Sequence, residues 1–233
     1  MSKKYTTVLF DADNTLLDFD MDERCALKSV MALYGVPETE ENIKTYSQIN
    51  LSLWKTIETG ELTKEELKRI RFGKYFSAIG FHCDTDPFTV NENYLSFLSE
   101  GGNTLEGAAD LCRELKEKGY DLYIVTNGIA STQKKRLTKS GLLPFFTEVF
   151  VSETIGHQKP KKEYFDYVLS HINEKDIDKI ILVGDSLTSD IKGAMNAGIT
   201  CVWLNLKGQE LPEGYKPDFI IGDIKEAGEI IRK

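Results

Sequence analysis

The stretch TVLFDADNT, at residues 7–15, joins a short apolar run to two carboxylates. Residues 7–10 have the length and apolar character of a buried strand in a parallel sheet, and Asp11 and Asp13 follow at once. In open parallel sheets, the residues just past the carboxyl ends of the strands converge on the crevice where such folds bind ligands. We therefore predict that residues 7–10 form a strand and that Asp11 and Asp13 lie in a functional site.

Three later stretches also place polar residues after apolar runs. They are Thr126-Asn127-Gly128 directly after residues 122–125, Lys159-Pro160 at some distance after residues 148–151, and Asp185 through Asp190 after residues 180–183. The geometry of a parallel sheet predicts that all of them meet Asp11 in one crevice. Each stretch alone could be a turn, a helix cap or a solvated run of lysines. Their occurrence together favours a site.

The residue types match the needs of phosphoryl transfer, which depends on positioning and on stabilising charge. Asp11 can be the nucleophile that forms an aspartyl-phosphate, and Asp13 can donate or accept a proton. Asp11 and Asp185 suffice as side-chain ligands of Mg²⁺, which takes one or two carboxylates together with phosphate oxygens. The sequence thus predicts a Mg²⁺-dependent phosphatase that acts on phosphate monoesters.

Three further residues are candidates for holding the phosphate. Lys159 offers a compact positive charge and Thr126 a hydroxyl, and both suit phosphate oxygens. Asn127 lies at a strand end that opens a predicted helix, so its backbone N–H is a candidate donor.

At these positions the chain resembles the haloacid dehalogenase (HAD) superfamily, and the resemblance spans the whole chain. It implies Asp11 as the nucleophile and Asp13 as the acid/base, with the backbone carbonyl of Asp13 as a further metal ligand. The other implied roles are phosphate binding for Thr126 and Lys159, metal binding for Asp185, and an indirect or water-mediated contact with the metal for Asp190.

Within the superfamily, the chain is most similar to bacterial noncanonical pyrimidine 5′-nucleotidases, through residues 10–13, 125–128 and 158–165. That likeness implies a nucleoside 5′-monophosphate as substrate, with pyrimidines preferred. Two positions depart from the general superfamily pattern. Asn14 stands where Gly or Asp is frequent and tolerates a left-handed backbone, while Lys162 replaces a second proline of the third motif and leaves Lys159 in place.

Two alternatives stay open. A sugar-phosphate phosphatase or phosphomutase of the same superfamily shares the core motifs, whereas dehalogenases lack the acid/base that Asp13 would supply. A non-catalytic module that binds Mg²⁺ or a nucleotide is an alternative of another class, although a binding protein needs no nucleophile paired with an acid.

The pattern of apolar runs predicts an α/β fold with two parts. Residues 1–18 and 100–233 are expected to form a Rossmann-like parallel sheet with helices on both faces, with strands at 7–10, 122–125, 148–151, 180–183 and 201–204 and an edge strand at 218–221. Residues 19–99 lack strand alternation and show three helix-period segments, one opened by a capping box of Thr63 and Glu66. We predict an all-helical cap domain at 19–99 that acts as a lid.

Three residues of the predicted cap are candidates for contacts with the base or sugar of a nucleotide. They are Trp54, Arg71 and Phe72, because aromatic rings stack on bases and arginine forms directed hydrogen bonds. The alternative is that Trp54 and Phe72 pack the interior of the cap and that Arg71 lies on its surface.

The composition of the chain limits the classes of partner that it is expected to bind. The chain has 29 Lys and Arg against 37 Asp and Glu, a net charge of −8, so nucleic acid polymers and anionic membranes are not expected as partners.

The four cysteines form no C-x-x-C pair and are expected to be reduced. No signal peptide or apolar run of membrane-spanning length is recognisable, so a cytoplasmic location is expected. The oligomeric state cannot be predicted from the sequence.

Overall fold

A computed structural model describes residues 4–232 and contains one six-stranded sheet. The strands are β1 (Thr7–Phe10), β2 (Asp121–Thr126), β3 (Glu148–Val151), β4 (Ile180–Gly184), β5 (Thr200–Leu204) and β6 (Phe219–Ile221). Their order is β3-β2-β1-β4-β5-β6, and each neighbouring pair is parallel. This order reverses between β1 and β4, which makes their carboxyl ends the switch point of a doubly wound sheet.

Ten α-helices accompany the sheet in the part of the chain that the structure describes. They are α1 (Phe19–Tyr34), α2 (Glu40–Thr59), α3 (Lys64–Ala78), α4 (Pro87–Ser99), α5 (Ala108–Glu117), α6 (Ala130–Lys139), α7 (Ser152–Ile155), α8 (Lys162–His171), α9 (Lys192–Ala197) and α10 (Ile224–Ile231). A π-helical turn, Leu187–Ile191, precedes α9. Among residues 4–232, no helix has the length and hydropathy needed to cross a membrane.

Successive residues of the central strands enter different core layers. Val8 and Phe10 belong to the layer that α5 and α10 cover, whereas Leu9 belongs to the layer that α8 and α9 cover. Both layers are apolar because a parallel sheet is buried on both faces. The predicted α/β fold, with a parallel sheet and helices on both faces, is confirmed.

The chain divides into two compact units. The α/β unit comprises the chain up to Phe19, Gly102–Ala130 and the chain from Leu137 onward. The helical unit comprises Asp20–Gly101 and Ser131–Arg136. The second of these helical segments belongs to α6, which the sequence analysis placed wholly in the α/β part.

The helical unit contains the three helices expected from periodicity and a fourth, α4, which the sequence analysis missed. The capping box of Thr63 and Glu66 is present at the start of α3. A signal for α4 exists in the sequence, since Asp86 caps the helix and Pro87 occupies its first turn. The interior of the unit holds a cluster of tyrosine and phenylalanine rings, namely Tyr46, Phe72, Tyr75, Phe76 and Tyr94.

Candidate active site

The ends of three adjacent strands bring the predicted residues together. The backbone N–H of Asp11 donates to the carbonyl of Val183 at 2.9 Å, which extends the β1–β4 ladder by one residue. Asp185 follows β4 directly, and Thr126 is the last residue of β2. These residues therefore lie at the switch point of the sheet.

A tight turn follows Asp11. The backbone N–H groups of Leu16 and Leu17 both donate to the carbonyl of Ala12, at 3.0 and 2.8 Å. Asn14 has a φ of 54°, in the left-handed region, as the sequence analysis expected of this residue. This turn contains Asp13 and lies between Asp11 and the start of α1 at Phe19.

Lys159 lies between two carboxylates. Its Nζ donates to Oδ1 of Asp11 at 2.6 Å, to Oδ1 of Asp190 at 2.6 Å and to the carbonyl of Val125 at 2.8 Å. The side chain is 1% exposed. Burial lowers the pKa of the Lys159 ammonium, but Asp11 and Asp190 outweigh that effect and raise its pKa above the usual value. All three ammonium donors therefore have acceptors, and the lysine stays charged.

Negative charge exceeds positive charge at this site. One carboxylate oxygen from each of Asp11, Asp185 and Asp190 lies within 4.8 Å of the others. Burial raises the pKa of Asp11 to about 7, with Asp190 and Asp13 adding to the increase and Lys159 opposing it. Burial and the charges of Asp11 and Asp190 also raise the pKa of Asp185. A single lysine does not neutralise these three carboxylates.

The residues present fit a divalent cation with hard oxygen ligands. Asp190 is the least available ligand, because its Oδ1 accepts from Lys159 and its Oδ2 accepts from the backbone N–H of Ser186 at 3.1 Å. Asp11 and Asp185 are therefore the two side chains that could hold such an ion. That pair is sufficient for Mg²⁺, which keeps several waters.

Asn127 joins the loop after β2 to the loop that carries Lys159. Its Nδ2 donates to the carbonyl of Lys159 at 2.9 Å, and the N–H of Lys159 donates to its Oδ1 at 2.9 Å. The hydroxyl oxygen of Thr126 accepts from the backbone N–H of Gly128 at 3.1 Å. From the sequence, only the backbone N–H of Asn127 was predicted to have a role. The pairing of its side chain with a peptide group 32 residues away left no local signal.

The three candidate substrate residues of the cap lie in the helical unit. The Arg71 guanidinium is 2% exposed and donates to the side-chain carbonyls of Asn50 and Asn91, and it lies 4.6 Å from the centroid of the Tyr94 ring. Phe72 is fully buried in the aromatic cluster. Trp54 is partly buried against a cluster that includes Leu53. A contact of any of the three with substrate stays a prediction.

The fold and the site together define a class: a doubly wound α/β protein with a cluster of carboxylates at its switch point. A family model described as haloacid dehalogenase-like hydrolase matches residues 8–204. The chain belongs to this family of hydrolases, and the predicted superfamily is confirmed.

Three known proteins are similar to this chain over most of its length. Pyrimidine 5′-nucleotidase PynA of Streptococcus pneumoniae is 40% identical over 201 residues, 86% of this chain and 84% of that protein. Pyrimidine 5′-nucleotidase YjjG of Escherichia coli is 31% identical over 230 residues, 99% of each chain. The crystal structure of the HAD-hydrolase YfnB from Bacillus subtilis, bound to magnesium, superposes with a TM-score of 0.92 at 39% identity and covers 99% of this chain and 100% of that one.

Proposed function

We propose that the protein is a Mg²⁺-dependent phosphatase that hydrolyses nucleoside 5′-monophosphates, with pyrimidines preferred. The observation that carries the proposal is the buried carboxylate of Asp11, held by Lys159 beside Asp185 and Asp190. The nucleotide part rests on the two relatives named pyrimidine 5′-nucleotidases.

In the first step, an oxygen of Asp11 bonds to the phosphorus as the ester P–O bond breaks. Asp13 gives its proton to the departing oxygen of the alcohol. In the second step, Asp13 takes a proton from water, the water oxygen bonds to the phosphorus, and the bond to Asp11 breaks to release inorganic phosphate. Overall, one phosphate monoester and one water give one alcohol and one inorganic phosphate.

The charges of the site explain the other roles. A nucleophilic Asp11 must be ionised, and Lys159 favours the ionised form against the burial that raises its pKa to about 7. A phosphate monoester adds further negative charge to three carboxylates. Asp11 and Asp185 would hold Mg²⁺, which would supply the positive charge that offsets it. Lys159, Thr126 and the backbone N–H groups after β2 are the phosphate contacts.

A panel of phosphate monoesters tests the substrate class. Purified protein should release phosphate from pyrimidine nucleoside 5′-monophosphates with Mg²⁺ and should release none in excess EDTA. Equal kcat/KM for sugar phosphates would contradict the nucleotide preference, and isomerisation of a sugar phosphate without phosphate release would indicate a mutase. Mg²⁺ binding without turnover of any ester would indicate a non-catalytic binding module.

Asp13→Asn tests the acid. The loss of kcat on a nucleotide should be about 10²-fold to 10⁴-fold, and it should be much smaller on an aryl phosphate, whose phenolate leaves without protonation. Asp84→Asn, at a fully solvated carboxylate, is the matched control. Equal losses on both esters would contradict the role of Asp13 as the acid.

A further inference from the structure

Trp203 lies next to the loop that carries the proposed metal ligand Asp185. It belongs to β5 and is paired with Gly184, the last residue of β4. Its ring is 1% exposed and packs in the core layer that also contains Leu9 and Leu182. A buried indole N–H normally has an acceptor, because a buried donor without a partner destabilises the fold.

The acceptor is the backbone carbonyl of Asp185, which receives the Trp203 Nε1–H at 2.9 Å. The next backbone N–H, that of Ser186, donates to Oδ2 of Asp190 at 3.1 Å. This carbonyl and this N–H belong to the same planar peptide group. Trp203 and Asp190 therefore hold the Asp185–Ser186 peptide plane at its two ends.

The start of the loop has little room to adjust. A Cβ at position 184 would clash with the carboxylate of Asp190, so only glycine fits there. Asp190 in turn is held by Lys159. Rotation of the Asp185–Ser186 peptide plane would change the ψ angle of Asp185. The orientation of the Asp185 side chain relative to the following backbone would change with it.

We propose that Trp203 is a positioning residue that fixes the Asp185 carboxylate for Mg²⁺ by anchoring its backbone carbonyl. This inference rests on the proposed metal site. Groups that orient a metal ligand typically contribute 10-fold to 100-fold in metal affinity.

Trp203→Phe removes the N–H and keeps an aromatic ring in the core. The dissociation constant for Mg²⁺, obtained from the rise in Tm over a MgCl₂ titration, should increase about 10-fold. At saturating Mg²⁺, kcat and KM for an aryl phosphate should return close to the wild-type values. Cys201→Ala is the matched control, because Cys201 lies in the same strand and core layer and is paired with Leu182 instead of Gly184. This variant should lower Tm and leave the Mg²⁺ constant unchanged.

A second measurement keeps the tryptophan and so does not depend on the folding of a variant. Protein labelled with ¹⁵N-tryptophan has two indole N–H signals, from Trp54 and Trp203, and Trp54→Phe assigns them. The Trp203 signal should move over the MgCl₂ range in which Tm rises, because its acceptor is the carbonyl of the metal ligand.

A wild-type Mg²⁺ constant in Trp203→Phe, with only a lower Tm, would overturn the positioning role and leave the proposed function standing. An indole signal of Trp203 that does not respond to MgCl₂ would overturn it equally. A wild-type protein with neither Mg²⁺ stabilisation nor Mg²⁺-dependent turnover would overturn both proposals.

Discussion

The α/β unit and the helical unit both bury charged side chains, but they differ in how the charges are balanced. In the α/β unit, Lys159 faces the carboxylates of Asp11 and Asp190, and Asp185 adds a third. In the helical unit the two buried carboxylates are each linked to an arginine, directly for Asp22 and through an amide for Glu23. Asp22 accepts from Nη2 of Arg136 at 2.9 Å.

The second balanced pair of the helical unit is connected through an amide. Glu23 accepts from Ser47 at 2.7 Å and from Asn50 Nδ2 at 2.6 Å, and Asn50 Oδ1 accepts from Arg71 Nη1 at 3.0 Å. A network with every member satisfied stabilises and specifies a packing, whereas an excess of buried negative charge favours a bound cation. The difference teaches that burial alone does not identify a functional site; the imbalance of charge does.

The largest expected effect separates function from stability at Asp11. Asp11→Asn should lower kcat by about 10⁴-fold or more, because the nucleophile is lost. It should also raise the Tm of the metal-free protein at pH 8, because a carboxylate whose pKa burial raises to about 7 is replaced by a neutral amide. Asp84→Asn should change neither quantity. A lower Tm for metal-free Asp11→Asn than for the metal-free wild type would contradict an excess of negative charge at this site.

The helical unit should respond in the opposite way. Arg71→Met removes the donor to Asn50 and Asn91 and the positive charge that favours ionised Glu23. It should cost about 3–5 kcal/mol in the free energy of unfolding, with little change in kcat on an aryl phosphate. Arg69→Met, at an exposed arginine of the same helix, is the control. Unchanged stability together with a selective rise in KM for a nucleotide would instead identify Arg71 as a substrate contact, as the sequence predicts.

Asn127 and Asn196 offer a matched pair within the α/β unit. Both side chains donate to the backbone near Lys159, but Asn127 pairs with both groups of that residue, whereas Asn196 makes one bond of 3.3 Å to the carbonyl of Pro160. Asn127→Ala should lower kcat/KM on an aryl phosphate by about 10-fold to 100-fold, because small displacements of catalytic groups are costly. Asn196→Ala should have almost no effect. Equal losses would show that the lysine loop does not depend on Asn127.

The smallest effect concerns pH and Glu23. Burial raises the pKa of Glu23 above 4.5, against the lowering effect of its hydrogen bonds to Ser47 and Asn50. The folded protein therefore holds this proton to a higher pH than the unfolded chain, and the free energy of unfolding falls as pH rises above about 4.5. In Glu23→Gln, the decrease in the free energy of unfolding between pH 4.5 and 7 should be smaller than in the wild type by on the order of 1 kcal/mol. Urea unfolding over that pH range measures it. An unchanged slope in Glu23→Gln would contradict the shift.

The strands and the placement of the main polar residues could be predicted because both depend on short-range patterns. Apolar runs of four or five residues gave β1, β3 and β4, and polar residues just past such strands share one edge in any parallel sheet. Periodicity and the Thr63 capping box predicted three helices of the helical unit. The fourth helix was missed although Asp86, Pro87 and the spacing of Val90, Tyr94 and Leu98 were available.

The sequence by itself therefore determined the fold class and the strand ends at which Asp11, Thr126 and Asp185 lie, because these follow from local periodicity and from the chemistry of residue types. It indicated the family through the resemblance of its motifs. The tertiary structure alone decided which side chains hold those residues in place. The bonds from Asn127 to Lys159 and from Trp203 to Asp185, and those within the network of Glu23, Asn50 and Arg71, join residues 18 to 32 positions apart along the chain. Such contacts depend on how elements pack and on where each side chain points, and neither is encoded in any short stretch of sequence.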